Sequence, residues 1–328
     1  MMTIRVLFLA AALILGACSN DKQAVSSITQ AASSAPAKPD PVAHKARIAL
    51  VMKTLTNPFF IEMEKGARKA EQENNVELLV KTATQETSIE QQIQIVDEMI
   101  AAKVEAIVIA PGDSLRLVPI LKKAQDAGIK VINIDNRLDP EALKKNGLAQ
   151  VPFISVDNER AAYQSAKFIA DPIKKPTQVA IFEGIRSADN AQQRKNGALR
   201  AFAENKHIRI VAQESANWKI DEARELAKTV FKEHPDIQAV FCANDMMAIG
   251  VMEYLREAKH APVAIAAFDA LDEAKRAIKE GQMSVTVDQQ AAEQGYQGVM
   301  SALRALRGES LPDTIQVDAR LVTKESLQ

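Results

Sequence analysis

The sequence predicts an α/β protein made of two doubly wound parallel-sheet lobes, and three observations carry that reading. From Arg47 onward, apolar strand-like runs alternate with helical patterns, the order that builds parallel sheets through right-handed crossovers. Runs such as Ala106-Ile107-Val108-Ile109 are apolar throughout, as strands covered on both faces are. A βαβ plan also occurs twice. Ile107 to Asp113 (IVIAPGD) leads into a helix and a strand ending at Asp135, and Val240 to Asp245 (VFCAND) leads into a helix and a strand ending at Asp269.

Taken in order, strands are expected at 47–52, 76–81, 105–110, 130–134, 151–156, 177–182, 208–212, 237–242, 263–267 and 283–288. Between them, Phe60, Met63, Ala67 and Ala70 share one helical stripe, as do Ile89, Ile93, Val96 and Ile100. The repeated plan places Asp135 and Asp269 just past the C-terminal ends of strands, where open α/β sheets bind ligands. Two such lobes face to face make a cleft with polar groups on both walls.

The N-terminus reads as a targeting segment. Arg5 precedes an apolar run from Val6 to Leu15, too short to cross a bilayer comfortably and suited to a signal peptide over 1–17. Leu15-Gly16-Ala17-Cys18 resembles the bacterial lipoprotein signal, so Cys18 is expected to carry acyl chains and hold the protein to a membrane, in the periplasm or at the cell surface. Residues 18–44, rich in Ala, Ser, Pro, Lys and Gln, read as a tether. Cys242 then has no partner and fits a core position.

Composition excludes some functions and leaves others without support. The chain of 328 residues has 41 basic and 42 acidic residues, and no helix carries a basic stripe, so no nucleic-acid partner is expected. No nucleophile elbow, P-loop or dinucleotide fingerprint follows a strand. His44, His207, His234 and His260 are scattered and there is no cysteine pair, so neither a metal nor a cofactor is expected.

The segment Met52-Lys53-Thr54-Leu55-Thr56-Asn57-Pro58-Phe59-Phe60 resembles the first strand–helix junction of the periplasmic ribose-binding protein family. Further stations agree in order: Ile134-Asp135, Val156-Asp157-Asn158, Gln193-Arg194-Lys195-Asn196-Gly197, Ala243-Asn244-Asp245-Met246, Ala267-Phe268-Asp269 and Val287-Asp288-Gln289. The resemblance spans roughly residues 46–328. It implies a type I periplasmic binding protein fold with a three-crossing hinge, the lobes taking 45–155 plus 290–317 and 156–289 plus 318–328. It also implies a monomer that delivers a monosaccharide or polyol to an ABC permease, without catalysis. The cleft is expected open without ligand and closed around it by hinge rotation.

Residue by residue, the resemblance points to Asn57, Phe59, Phe60 and Asp135 in the first lobe. In the second it points to Arg194, Trp218, Asn244 and Asp269, with Gln289 at the hinge. The chemistry suits a sugar: carboxylates, amides and guanidinium groups answer vicinal hydroxyls, and aromatic faces pack on the ring. Asn57 also reads as a helix N-cap before Pro58, and Trp218 and Asn244 have core and capping readings. Lys53 and Arg137 depart from the ribose-type pattern. They either face the ligand, favouring an electron-rich group, or pair with Asp135 and leave the wall neutral. A sugar-responsive repressor shares such a core but should open with a helix-turn-helix, and an exported hydrolase would consume its sugar. A sugar or autoinducer receptor subunit for a membrane sensor has the same cleft and remains the alternative.

Overall fold

The computed structural model describes residues 44–328; the expected signal peptide, Cys18 and most of the tether lie outside the described residues. The chain first builds β1 (Ala46–Met52), α1 (Pro58–Glu73), β2 (Val76–Thr82), α2 (Ile89–Ala101), β3 (Ala106–Ile109), α3 (Val118–Asp126), β4 (Lys130–Ile134), α4 (Pro140–Lys145) and β5 (Phe153–Ser155). It then crosses to a second sheet through α5 (Asn158–Ala170), β6 (Thr177–Glu183), α6 (Asp189–Ala203), β7 (Ile208–Ser215), α7 (Ile220–Glu233), β8 (Ile237–Cys242), α8 (Asp245–Glu257), β9 (Ala264–Ala266), α9 (Asp272–Glu280) and β10 (Thr286–Asp288). A return passage lays α10 (Ala291–Leu306) on the first sheet and adds β11 (Thr314–Gln316) beside β5, before β12 (Arg320–Val322) pairs antiparallel with β10.

The first sheet is parallel, in the order β11-β5-β4-β3-β1-β2, and the second runs β7-β6-β8-β9. The chain therefore passes between the sheets three times. Helices cover both sheet faces, which is why β3 is buried at every residue and β1 is fully buried from Ile48 to Met52. Cys242 closes β8 inside this core, where burial pushes its thiol well above the ordinary range.

Two details depart from the sequence expectations. On α2, Ile93 and Ile100 are only half-buried, and Gln92 turns inward with Ile89, Ile95, Val96 and Met99. A polar residue occupies the stripe because its amide donates to Ala110 O at 2.8 Å and accepts from Gly112 N at 2.9 Å. The strands β11 and β12 were not expected. Each has three residues, most of them at least partly exposed, so neither shows an apolar run.

Candidate functional site

Strand C-termini of both sheets converge on one interlobe cavity. From the first lobe come Lys53 after β1, Asn57, Phe59 and Phe60 at the start of α1, Glu86 after β2 and Asp135 after β4. The second lobe supplies Asn190 and Arg194 on α6, Trp218 after β7, Asn244 after β8 and Asp269 after β9, with Gln289 at a crossing. This is the edge at which open α/β sheets bind ligands. All the expected residues except Arg137 line it.

The first-lobe wall is an ion cluster. Lys53 Nζ lies 2.8 Å from Asp135 Oδ2 and 3.9 Å from Glu86 Oε2, and sits 5.5 Å from the Phe60 ring centroid. Asn57 Nδ2 donates to Glu86 Oε1 at 3.0 Å while its Oδ1 accepts from Phe59 N at 3.1 Å. It thus caps α1 and faces the cavity at once.

On the opposite wall Arg194 is almost entirely buried, at 2% exposure. Its Nε donates to Asn158 Oδ1 and its Nη1 to Ala243 O, each at 2.9 Å, and Nη1 stands 3.5 Å from Asp269 Oδ1. The guanidinium lies over Phe268, 3.8 Å from the ring centroid, and 5.5 Å from that of Trp218. Gln289 donates to Asp269 Oδ1 at 2.6 Å. Asn244 caps α8 through Met247 N and donates to Trp218 O at 3.4 Å.

The backbone is strained where these groups are presented. Asp135 and Asp269 hold φ of 63° and 118°, and the successive Asn217 and Trp218 hold 49° and 67°, in a region that side chains other than glycine rarely adopt. Neighbours enforce it. Asp269 N donates to Val287 O at 2.8 Å, and the buried Asp245 carboxylate accepts from Leu271 N and from the Thr286 hydroxyl. The Trp218 ring covers Gly184, where a Cβ would come within 2.1 Å of it, so the turn after β6 needs glycine for that approach.

Burial sets the electrostatics. It pushes the Asp269 carboxyl up to about 7, against the opposing pull of Arg194 and Gln289, and it raises Glu86 and Asp245 as well. Burial lowers the Arg194 guanidinium, with Asp269 and Asp135 opposing it. Lys53 and Arg194 face Glu86, Asp135 and Asp269, so acidic groups outnumber basic ones.

The cavity is nearly filled by its own lining, with about 20 Å³ of free volume, far below the ~300–1,000 Å³ of drug-sized sites. Asn190 Oδ1 and Trp218 Nε1 on its walls are buried and have no hydrogen-bond partner in the protein, a costly state for a polar atom. A larger open groove of about 610 Å³ lies between α8 and α9, but the buried polar groups converge on the interlobe cavity.

The cleft is shut, with Lys53, Asp135, Arg194 and Trp218 each under 5% exposed and Ser114 N donating to Ser187 O across it at 3.1 Å. Two readings need correction. Arg137 is half-buried, with its guanidinium 5.2 Å from the Phe153 ring centroid and outside the cavity. The strained turn at Asp135 sends Asn136 inward to bond Pro111 O at 3.0 Å. Glu86 and Asn190 were missed. Glu86 sits on a strand-end loop, and Asn190 precedes Arg194 by one helical turn, so strand-end position and helical spacing were the available signals.

The chain matches the family described as the periplasmic binding protein domain over residues 48–310. It is 40% identical over 269 residues to a D-ribose/D-allose-binding protein of Pseudomonas aeruginosa, covering 81% of this chain and 84% of the relative. Identity to a D-allose-binding periplasmic protein of Escherichia coli is 32% over 287 residues, covering 85% and 92%. The crystal structure of an ABC transporter periplasmic solute binding protein from Actinobacillus succinogenes with bound D-allose superposes with a TM-score of 0.82 at 39% identity, covering 86% of this chain and 99% of that one. Fold, cleft and these relatives together define a two-lobed solute-binding protein. The chain belongs to the periplasmic binding protein family, in its ribose-binding-protein-like branch.

Proposed function

We propose that this chain is the exported sugar-binding component of an ABC importer. It closes its lobes around one neutral monosaccharide of the ribose or allose kind and presents the closed form to a permease. The observation that carries this is the cavity's own chemistry. Carboxylates, amides and an arginine converge on one enclosed spot between the lobes, and Asn190 Oδ1 and Trp218 Nε1 offer one acceptor and one donor without protein partners. Hydroxyls, each both donor and acceptor, answer such a set. Lys53 is already matched by Asp135 and Glu86, which disfavours a sugar acid, and the names of the relatives support an aldose. The protein acts as a monomer, held to a membrane through lipidated Cys18.

A thermal-shift panel of pentoses, hexoses, polyols and sugar acids tests the ligand class. D-ribose or D-allose should raise the melting temperature, since ligand at a hundred times Kd adds about 2.7 kcal/mol. Stabilisation by sugar acids alone would contradict the reading.

A further inference from the structure

Helix α6 carries Asn190 and Arg194 into the cavity, yet its own sequence leaves its start uncapped. The N-cap position is Ala188, which has no side-chain oxygen, where Ser, Thr, Asp or Asn normally accepts from the first free amides. Those amides are satisfied from the other lobe. Asp189 N donates to Ser114 Oγ at 3.0 Å, and Asn190 N donates to Asn136 Oδ1 at 3.1 Å. Ser114 follows β3 and Asn136 follows β4, so both acceptors are on the first lobe and both donors on the second.

The clasp is built rather than incidental. Asn136 Nδ2 donates to Pro111 O at 3.0 Å and to Ser114 Oγ at 3.3 Å, which ties the two capping residues together. Asp113 Oδ1 accepts from Leu115 N and Arg116 N at 2.8 Å, fixing the turn that presents Ser114. Ser114, Asn136 and Asn190 are buried, Asn136 completely. A last bond links the clasp to the sugar cavity: Asn190 Nδ2 reaches Asp135 Oδ1 at 3.4 Å. Hinge opening separates the three pairs that join the lobes, Ser114 with Asp189, Asn136 with Asn190 and Asp135 with Asn190, and leaves the α6 amides to water.

We propose that Ser114 and Asn136 cap α6 in trans, and that this cap is a latch that favours the shut cleft and slows ligand release without touching the ligand. They are positioning residues: they hold the start of α6, and through it Asn190 and Arg194, against the first lobe. The release arm of the test rests on the sugar-binding reading; the lobe-closure arm does not.

The test compares wild type, Ser114→Ala and Ser114→Thr. Single-molecule energy transfer between one dye on each lobe reports the closed fraction without sugar. Stopped-flow fluorescence of Trp218, the only tryptophan, reports release of D-allose and D-ribose. Loss of one cap predicts a closed-to-open ratio roughly fivefold lower in Ser114→Ala, and sugar release faster by a similar factor. Ser114→Thr keeps the hydroxyl and restores both. An unchanged closed fraction together with unchanged release in Ser114→Ala overturns the latch, as does an equal loss in Ser114→Thr. If neither sugar binds the wild type, the ligand assignment fails and the closed fraction alone decides the latch.

Discussion

Lys53 stands between Asp135 and Glu86 where little water reaches, and we propose that its charge, balanced by these carboxylates, organises the wall instead of addressing the ligand. Breaking a buried pair from one side costs about 3–5 kcal/mol. The cost here is smaller, because Asn57 and Asn190 still donate to the two carboxylates. Lys53→Met is therefore expected to weaken every sugar it binds by tenfold or more while leaving their ranking unchanged, measured by calorimetry with D-ribose, D-allose and a sugar acid. A changed ranking would place Lys53 in direct contact with the ligand. Legibility at this scale follows the chemistry. Asp135 and Asp269 stood out because each ends a strand within a repeated plan. Glu86 did not, because Thr84-Gln85-Glu86-Thr87 reads as any polar loop. Arg137 was misplaced because sequence spacing does not reveal the left-handed turn at Asp135 that redirects the chain.

Whole elements were legible where burial imposes a pattern. The strands from β1 to β10 were expected, and the covered ones such as β1, β3 and β8 came through as apolar runs, since strands between two helical layers have no face to give to water. The strands β11 and β12 escaped because pairing with β5 and β10, not an apolar run, defines them. Helix packing is also written in small residues. A Cβ on Gly197 of α6 would lie 2.2 Å from Glu159 O of α5 and 2.7 Å from Tyr163 N, both backbone atoms. The glycine of the Arg-x-x-Gly segment thus sets the contact between α5 and α6, three residues from Arg194. Gly197→Ala should push α6 off α5, destabilise the fold by about 1–3 kcal/mol and weaken sugar binding as Arg194 shifts. Chemical denaturation checks the first effect and titration the second. A variant of wild-type stability would mean that α6 yields easily and that Gly197 is dispensable.

At the scale of the molecule, two parallel sheets point their strand ends at each other, and closure converts surface carboxylates into buried ones. That is why Glu86 and Asp269 are raised by burial in the shut cleft, and why a ligand rich in hydroxyls, which donates to each oxygen, is the natural complement. Such a ligand holds the shut state only through contacts with both walls. Calorimetric titration of D-allose and D-ribose into the wild type and Asp269→Asn tests this most directly. One sugar should bind per chain to the wild type. In Asp269→Asn the affinity should fall about tenfold to a hundredfold, the scale of a lost charge-assisted hydrogen bond at roughly 1.5–3 kcal/mol. Binding that is equally tight in the variant would put the sugar outside the interlobe cavity and contradict the account.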